Sequence, residues 1–360
     1  MKKFKSLLAL FVVFMLVLSG CSKEAEKSDN YKVLLLIPGN LGDKSFFDAA
    51  NRGIEELAKK DGFETKVIEM TTDETKWEPA FLDAIDQDWD LIVSGNAASD
   101  LMNELAAKNT EKRFLNFDNS GTDASENVYS VTYATNEGSF LAGAFAALVT
   151  QDTSIENINE DKVIGFLGGM DIPGINDFLV GYIQGAQHVD KDVKVVTTYA
   201  GDFSDPAIGK ELSLAMYSSN VDIAFNVAGQ TGLGLIDAAF ESNRYAIGVD
   251  SDQSALYKDS EPDKAKSVLT SVVKQIDNVI IDSAIKAKEG TLEFGKHELI
   301  GLSANAIGLA DNEVYQTVPE GIRSQIETIK QDIIDGKIEI ESGFKLTTEQ
   351  ISDYRELVKP

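Results

Sequence analysis

The chain has 360 residues, a net charge of −26 at neutral pH, 43% apolar residues, one cysteine and two histidines. Its length suits two domains, its apolar content rules out wholesale disorder, and its acidity disfavours nucleic acid and anionic lipid surfaces as partners. A lone cysteine excludes a disulfide framework, and His188 and His297 stand in no ligand-like spacing, so neither a metal nor a cofactor is expected.

Lys2, Lys3 and Lys5 precede an apolar run, Leu7 to Leu18, which meets Ser19-Gly20-Cys21. The run makes a helix of about 18 Å against a hydrocarbon core of about 30 Å, too short to span it. Its flanks are those of a signal peptide over residues 1–20. Leu18-Ser-Gly-Cys21 resembles a bacterial lipobox, which implies that Cys21 is acylated and becomes the new N-terminus. Residues 21–30 are polar, lack a helical or strand period, and read as a flexible tether.

From Tyr31 the chain alternates strands and helices. Lys32–Ile37 is a short apolar run stopped by Pro38-Gly39, as buried parallel strands are. Phe46, Ala49, Ala50, Gly53, Ile54, Leu57 and Ala58 follow at helical spacing. Strands are expected at 65–69, 90–94, 113–117 and 128–131, with helices at 78–85, 98–107 and 137–149. The alternation restarts with strands at 163–167, 193–199, 222–227 and 246–249 and helices at 175–188, 207–217 and 231–240. A long helix is expected over 272–288, strands at 297–300 and 304–308, and a last helix over 321–334. Two such runs imply two doubly wound α/β lobes with parallel sheets covered on both faces.

Ligands of open α/β sheets sit outside the carboxyl ends of the strands, which directs attention to the strand-to-helix loops. The first, Pro38-Gly-Asn-Leu-Gly-Asp-Lys-Ser45, has a superficial P-loop look. Asp43 stands where that motif needs glycine before the lysine, and a carboxylate there opposes phosphate. Ala228-Gly-Gln-Thr-Gly-Leu-Gly234 reverses the dinucleotide fingerprint and is a weak signal alone.

Taken together, Gly165-Phe-Leu-Gly-Gly-Met-Asp-Ile-Pro173, Asp205-Pro-Ala207 with Gly209-Lys210, the Gly-Gln-Thr-Gly-Leu-Gly loop, Gly248-Val-Asp-Ser-Asp-Gln253 and Ser271-Val-Val-Lys274 resemble the basic membrane protein family. Gly42-Asp-Lys-Ser-Phe46 resembles its opening motif. Val318-Pro-Glu320 and Ile333-Ile-Asp-Gly-Lys-Ile338 resemble its tail. The family's best-known branch is the purine nucleoside receptor A lipoproteins. The resemblance implies a type I periplasmic-binding-protein fold with a ligand cleft between its lobes. It implies an N-terminal lobe of residues 31–133 plus 275–303 and a C-terminal lobe of 134–274 plus 304–360. It also implies a monomeric receptor that passes a nucleoside to an ABC permease and its ATPase, held to the cell membrane's outer face only through the Cys21 lipid.

The same resemblance implies a nucleoside site. Phe46 and Phe203 are the expected aromatic faces around the base, and Asp118 the acceptor for base N–H groups. Asp250 is expected to take both ribose hydroxyls, Lys274 to donate to the ribose and offset Asp250, and Gly229 to let its backbone approach the ligand. Without the family the side chains have plainer roles: Phe46 and Phe203 as core, Asp118 as a cap on the next element, Asp250 with Asp252 as turn formers, Lys274 as a solvated helix lysine.

The chain departs from the family at Ile37-Pro38-Gly39, where an aspartate usually precedes the glycine, and at Phe47, where an asparagine usually stands. Both changes remove polar groups expected to read the base edge. Another small polar ligand, or a sugar sensed at the surface, is the alternative. An enzyme is the least favoured reading, because Asp171, Asp177, Asp205, Asp250 and Asp252 lie on scattered loops with no poised base beside them.

Overall fold

The structure, a computed structural model, describes residues 30–119 and 125–360. The expected signal peptide, Cys21 and all of the tether but Asn30 lie outside the described residues.

In chain order the strands are β1 (Tyr31–Ile37), β2 (Phe63–Glu69), β3 (Leu91–Ser94), β4 (Phe114–Asn116), β5 (Val128–Tyr133) and β6 (Val163–Gly168). They continue as β7 (Lys194–Tyr199), β8 (Val221–Val227), β9 (Tyr245–Asp250), β10 (Val268–Lys274), β11 (His297–Ile300) and β12 (Ile307–Leu309). They form two six-stranded sheets, ordered β11-β5-β4-β3-β1-β2 and β12-β10-β9-β8-β6-β7. The first is parallel throughout. The second is parallel except for β12, which runs antiparallel to β10.

The helices are α1 (Phe46–Ala58), α2 (Trp77–Asp86), α3 (Ser99–Lys108), α4 (Thr135–Thr150), α5 (Pro173–Val189) and α6 (Pro206–Tyr217). After these come α7 (Leu233–Glu241), α8 (Gln253–Tyr257), α9 (Pro262–Ala265), α10 (Ile276–Lys288), α11 (Glu320–Ile334) and α12 (Thr348–Val358).

The central strands β1, β3, β6 and β8 are buried along most or all of their length, as strands covered by helices on both faces must be. Helix α4 is buried on nearly every side, which suits its Ala- and Phe-rich sequence. It crosses α5 where Gly143 meets the Tyr182 carbonyl and Gly185 meets the Phe140 carbonyl; a Cβ at either glycine would strike backbone.

The expected long helix over 272–288 is corrected by the structure. Val268–Lys274 is a central strand, and the helix begins only at Ile276. Val268, Thr270, Val272 and Val273 are β-branched and fit the pleat better than a helical turn. Lys274 is therefore the last residue of a buried strand, and its plainer role as a solvated helix lysine falls. The short helices α8 and α9 and the C-terminal α12 were not expected.

The chain passes between the sheets three times: after β5, after β10 and after β11. These passages lie close together. Ala134 N donates to Ile300 O at 2.8 Å, Gln275 N to Ala306 O at 2.9 Å, and Leu302 N to the Glu137 carboxylate at 2.8 Å. Among the described residues no helix is long and apolar enough to cross a membrane.

Candidate functional site

Three charged side chains converge where the carboxyl ends of the two sheets meet. Lys274 closes β10 and is 6% exposed. Its Nζ donates to Asp118 Oδ2 at 2.9 Å and stands 3.9 Å from Asp250 Oδ1. Asp118 follows β4 in the first sheet, whereas Asp250 closes β9 in the second. Burial works against the Lys274 ammonium, but Asp118 and Asp250 together outweigh it and hold its pKa above the ordinary value.

Asp250 is buried and receives a hydrogen bond from the Ser45 hydroxyl at 2.7 Å. Burial pushes its carboxyl up, opposed by Lys274 and by Ser45. Its backbone is left-handed, with φ +60°. Few residues adopt that conformation readily, and Asp and Asn are among them.

Aromatic rings surround the ammonium. Nζ lies 5.2 Å from the centre of Phe46, 5.3 Å from Tyr133 and 5.3 Å from Phe178. Phe46 is the first residue of α1 and packs against Phe117 and Phe47, with ring centres 5.4 and 5.2 Å away. Phe47 covers Gly39, and Ile37 is fully buried in the β1 core. The departures from the family motif are thus filled by apolar packing.

Asp43 holds the entry to α1. Its carboxylate accepts from the backbone N–H groups of Ser45, Phe47 and Asp48 at 2.9–3.1 Å, and burial lifts its pKa to about 6. That carboxylate occupies the helix N-terminus where a P-loop would place phosphate.

Phe203 and Gly229 form a second group. The Phe203 ring covers Gly169, and Gly229, at φ +56°, would bring a Cβ to 3.3 Å from the Phe203 carbonyl. Thr231 N donates to that carbonyl at 3.1 Å. Both loops follow strands of the second sheet, β7 and β8. Among the described residues no hydrogen bond, ion pair or ring contact joins this pair to the Lys274 cluster.

The structure therefore brings Phe46, Asp118, Asp250 and Lys274 together and sets Phe203 against Gly229. Tyr133 and Phe178 were missed. They come from β5 and α5, on opposite sides of a chain passage, and no local pattern singles them out. Ser45 lies in the opening motif Gly42-Asp-Lys-Ser-Phe46, which gives no hint of its bond to Asp250. The remaining carboxylates are structural: Asp205 and Asp252 cap helices, Asp171 pairs with Arg355, and Asp177 ties Thr135 and Asn136 to Ser342 and Gly343. His297 lies between the Ser130 and Thr132 hydroxyls, and His188 ends α5 beside Phe140. Among the described residues no group of His, Cys, Asp or Glu could hold a metal ion.

Residues 30–343 match the family model described as ABC transporter substrate-binding protein PnrA-like. The chain is 30% identical over 356 residues to the ABC transporter nucleoside-binding protein BmpA of Lactococcus lactis subsp. cremoris, covering 93% of this chain and 97% of that one. It is 30% identical over 329 residues to basic membrane protein A of Borreliella afzelii, covering 89% and 94%. A crystal structure of an ABC transporter solute-binding protein from Aeropyrum pernix K1 superimposes with a TM-score of 0.75 at 26% identity, covering 91% of this chain and 97% of that one.

Proposed function

The chain belongs to the family of PnrA-like ABC transporter substrate-binding proteins, and from that premise we propose that it binds a nucleoside, most favourably a purine nucleoside, between its two sheets and delivers it to a permease. It is a binding protein and not an enzyme, in keeping with its relatives and with the type I solute-binding fold. The observation that carries the nucleoside reading is the Asp118–Lys274–Asp250 cluster beneath the Phe46 ring. One carboxylate accepts both hydroxyls of a cis-diol, a second accepts base N–H groups, and the lysine between them donates to ribose oxygen.

Phe46 and Phe203 stack on the two faces of the base, each stack worth about 1–3 kcal/mol. Gly229 presents its backbone to the ligand. The lobes, 31–133 plus 275–303 and 134–274 plus 304–360, hinge through the three passages as the cleft closes. Acylated Cys21 holds the monomer to the outer face of the cell membrane, with residues 22–30 as leash.

The test is a thermal-shift screen of refolded, ligand-stripped protein against nucleosides, free bases, ribose and other sugars. A ligand at about a thousand times its Kd adds about 4 kcal/mol. Stabilisation by nucleosides, with none from free base or ribose, supports a site that reads both halves. Stabilisation by a sugar alone, or by no nucleoside, overturns the reading and makes Ile37, Pro38 and Phe47 the residues that changed the ligand class.

A further inference from the structure

Beside the charged cluster, two loops on opposite sheets touch directly. On the first-sheet side stand Lys44 and Ser45, just before α1, and Arg52, midway along that helix. Facing them are Ser251, Gln253 and Tyr257, which follow β9. The Ser251 hydroxyl donates to the Ser45 carbonyl at 3.0 Å and accepts from Arg52 Nη2 at 3.0 Å. Gln253 Nε2 donates to the Lys44 carbonyl at 3.2 Å, and the Lys44 ammonium lies 5.3 Å from the centre of the Tyr257 ring.

The far ends of these contacts are anchored. Gln253 is fully buried, its Oε1 accepting from Val249 N and Asn226 Nδ2 at 3.2 Å. Arg52 is steadied from its own side by Asp277, with Nε 3.8 Å from the carboxylate, at the first turn of α10. A side chain held by one sheet's helices and bonded to the other sheet's loop has geometry for bridging them.

We infer that Arg52, Ser251 and Gln253 form a latch that closes the cleft through contacts between protein groups alone, so that these positioning residues set the open–closed balance and with it the apparent affinity. The inference rests on the proposal that ligand binds between the sheets. Its energetics follow from population shift: a ligand that binds the closed form is held less tightly in proportion as that form is depopulated. Ligand enters the open form, so a weaker latch speeds release and does not slow association.

The experiment compares wild type, Arg52→Ala, Ser251→Ala, the double variant and Arg52→Lys. Stopped-flow binding of guanosine, inosine and adenosine gives both rates, and small-angle scattering of ligand-free protein reports opening. Each single alanine variant should release nucleoside about threefold to tenfold faster, as one lost hydrogen bond predicts, with association no slower than in wild type. The double variant should be no worse than the worse single, ligand-free protein should expand, and Arg52→Lys should recover part of the loss. Additive effects, a loss confined to association, or unchanged scattering overturns the latch. Wild type that binds no nucleoside overturns the nucleoside reading instead, and the scattering then decides the latch by the same criterion.

Discussion

The Lys274 ammonium donates to Asp118 at 2.9 Å across 156 residues of sequence, joining the carboxyl end of β10 in one sheet to the segment after β4 in the other. A buried lysine in that position is held charged by two carboxylates, and its loss leaves both without a counter-charge. Lys274→Met should lower nucleoside affinity about tenfold or more in titration calorimetry. Its pKa is raised above the ordinary 10.5, so its stabilising contribution is complete below about 10.5 and disappears as pH rises through the folded value. Alkaline melts should therefore show wild type losing stability above pH 10.5 relative to Lys274→Met. Parallel curves would remove the lysine's role as a folded-state cation.

Asp250 should trade stability for binding. Burial raises its pKa above 3.8, so this group's contribution is complete below about pH 3.8 and is lost as pH rises through the folded value. At pH 7 Asp250→Asn, which keeps the acceptor for Ser45 and tolerates φ +60°, should melt no lower than wild type in the absence of ligand. That variant should bind nucleoside about tenfold or more weakly, since a neutral amide accepts a cis-diol poorly. Asp250→Ala is a poorer probe, because alanine adds backbone strain at this position. Wild-type affinity in Asp250→Asn would sink the ribose assignment.

The two phenylalanines should separate cleanly. Phe46 is buried against Phe117 and Phe47, so Phe46→Ala opens a cavity and costs about 3–5 kcal/mol of stability besides weakening binding. Phe203 is partly exposed, its ring laid over Gly169. Phe203→Ala should weaken nucleoside binding by an amount worth about 1–3 kcal/mol while barely moving the ligand-free melting temperature. A Phe203→Ala protein that binds normally would leave Phe46 as the single stacking face.

Much of this architecture is legible in the sequence because parallel strands buried on both faces read as short apolar runs separated by helical periods. Val33–Ile37 and Val163–Leu167 are of that kind. The same signal misled at Val268–Lys274, where an apolar strand runs into Gln275 and Ile276 with no glycine or proline to mark the break. Thr347 and Gln350 form a capping box that does announce α12. The choice of Phe46, Asp250 and Lys274 followed from motifs that resemble the family, and that of Asp118 from its place at the end of a predicted strand. Tyr133 and Phe178 were missed, because their rings reach Lys274 from elements that only the three passages bring near each other.

Helices α4 and α5 pack backbone against backbone. Gly185 in α5 faces the Phe140 carbonyl of α4, and the reciprocal Gly143 faces Tyr182, so the two backbones approach more closely than any side chain allows. Alanine improves helix propensity by about 1 kcal/mol over glycine; were propensity decisive, Gly185→Ala would stabilise the protein. A methyl group driven into a carbonyl must instead push the helices apart, and overpacking of that kind costs about 1–3 kcal/mol. Phe178 sits on the same α5, 5.3 Å from the Lys274 ammonium, so displacing the helix moves a wall of the site as well. Gly185→Ala should therefore lower both the melting temperature and nucleoside affinity, read by calorimetry and by titration on the same preparation. A stabilised variant with normal affinity would show that α4 and α5 can separate without disturbing the cluster.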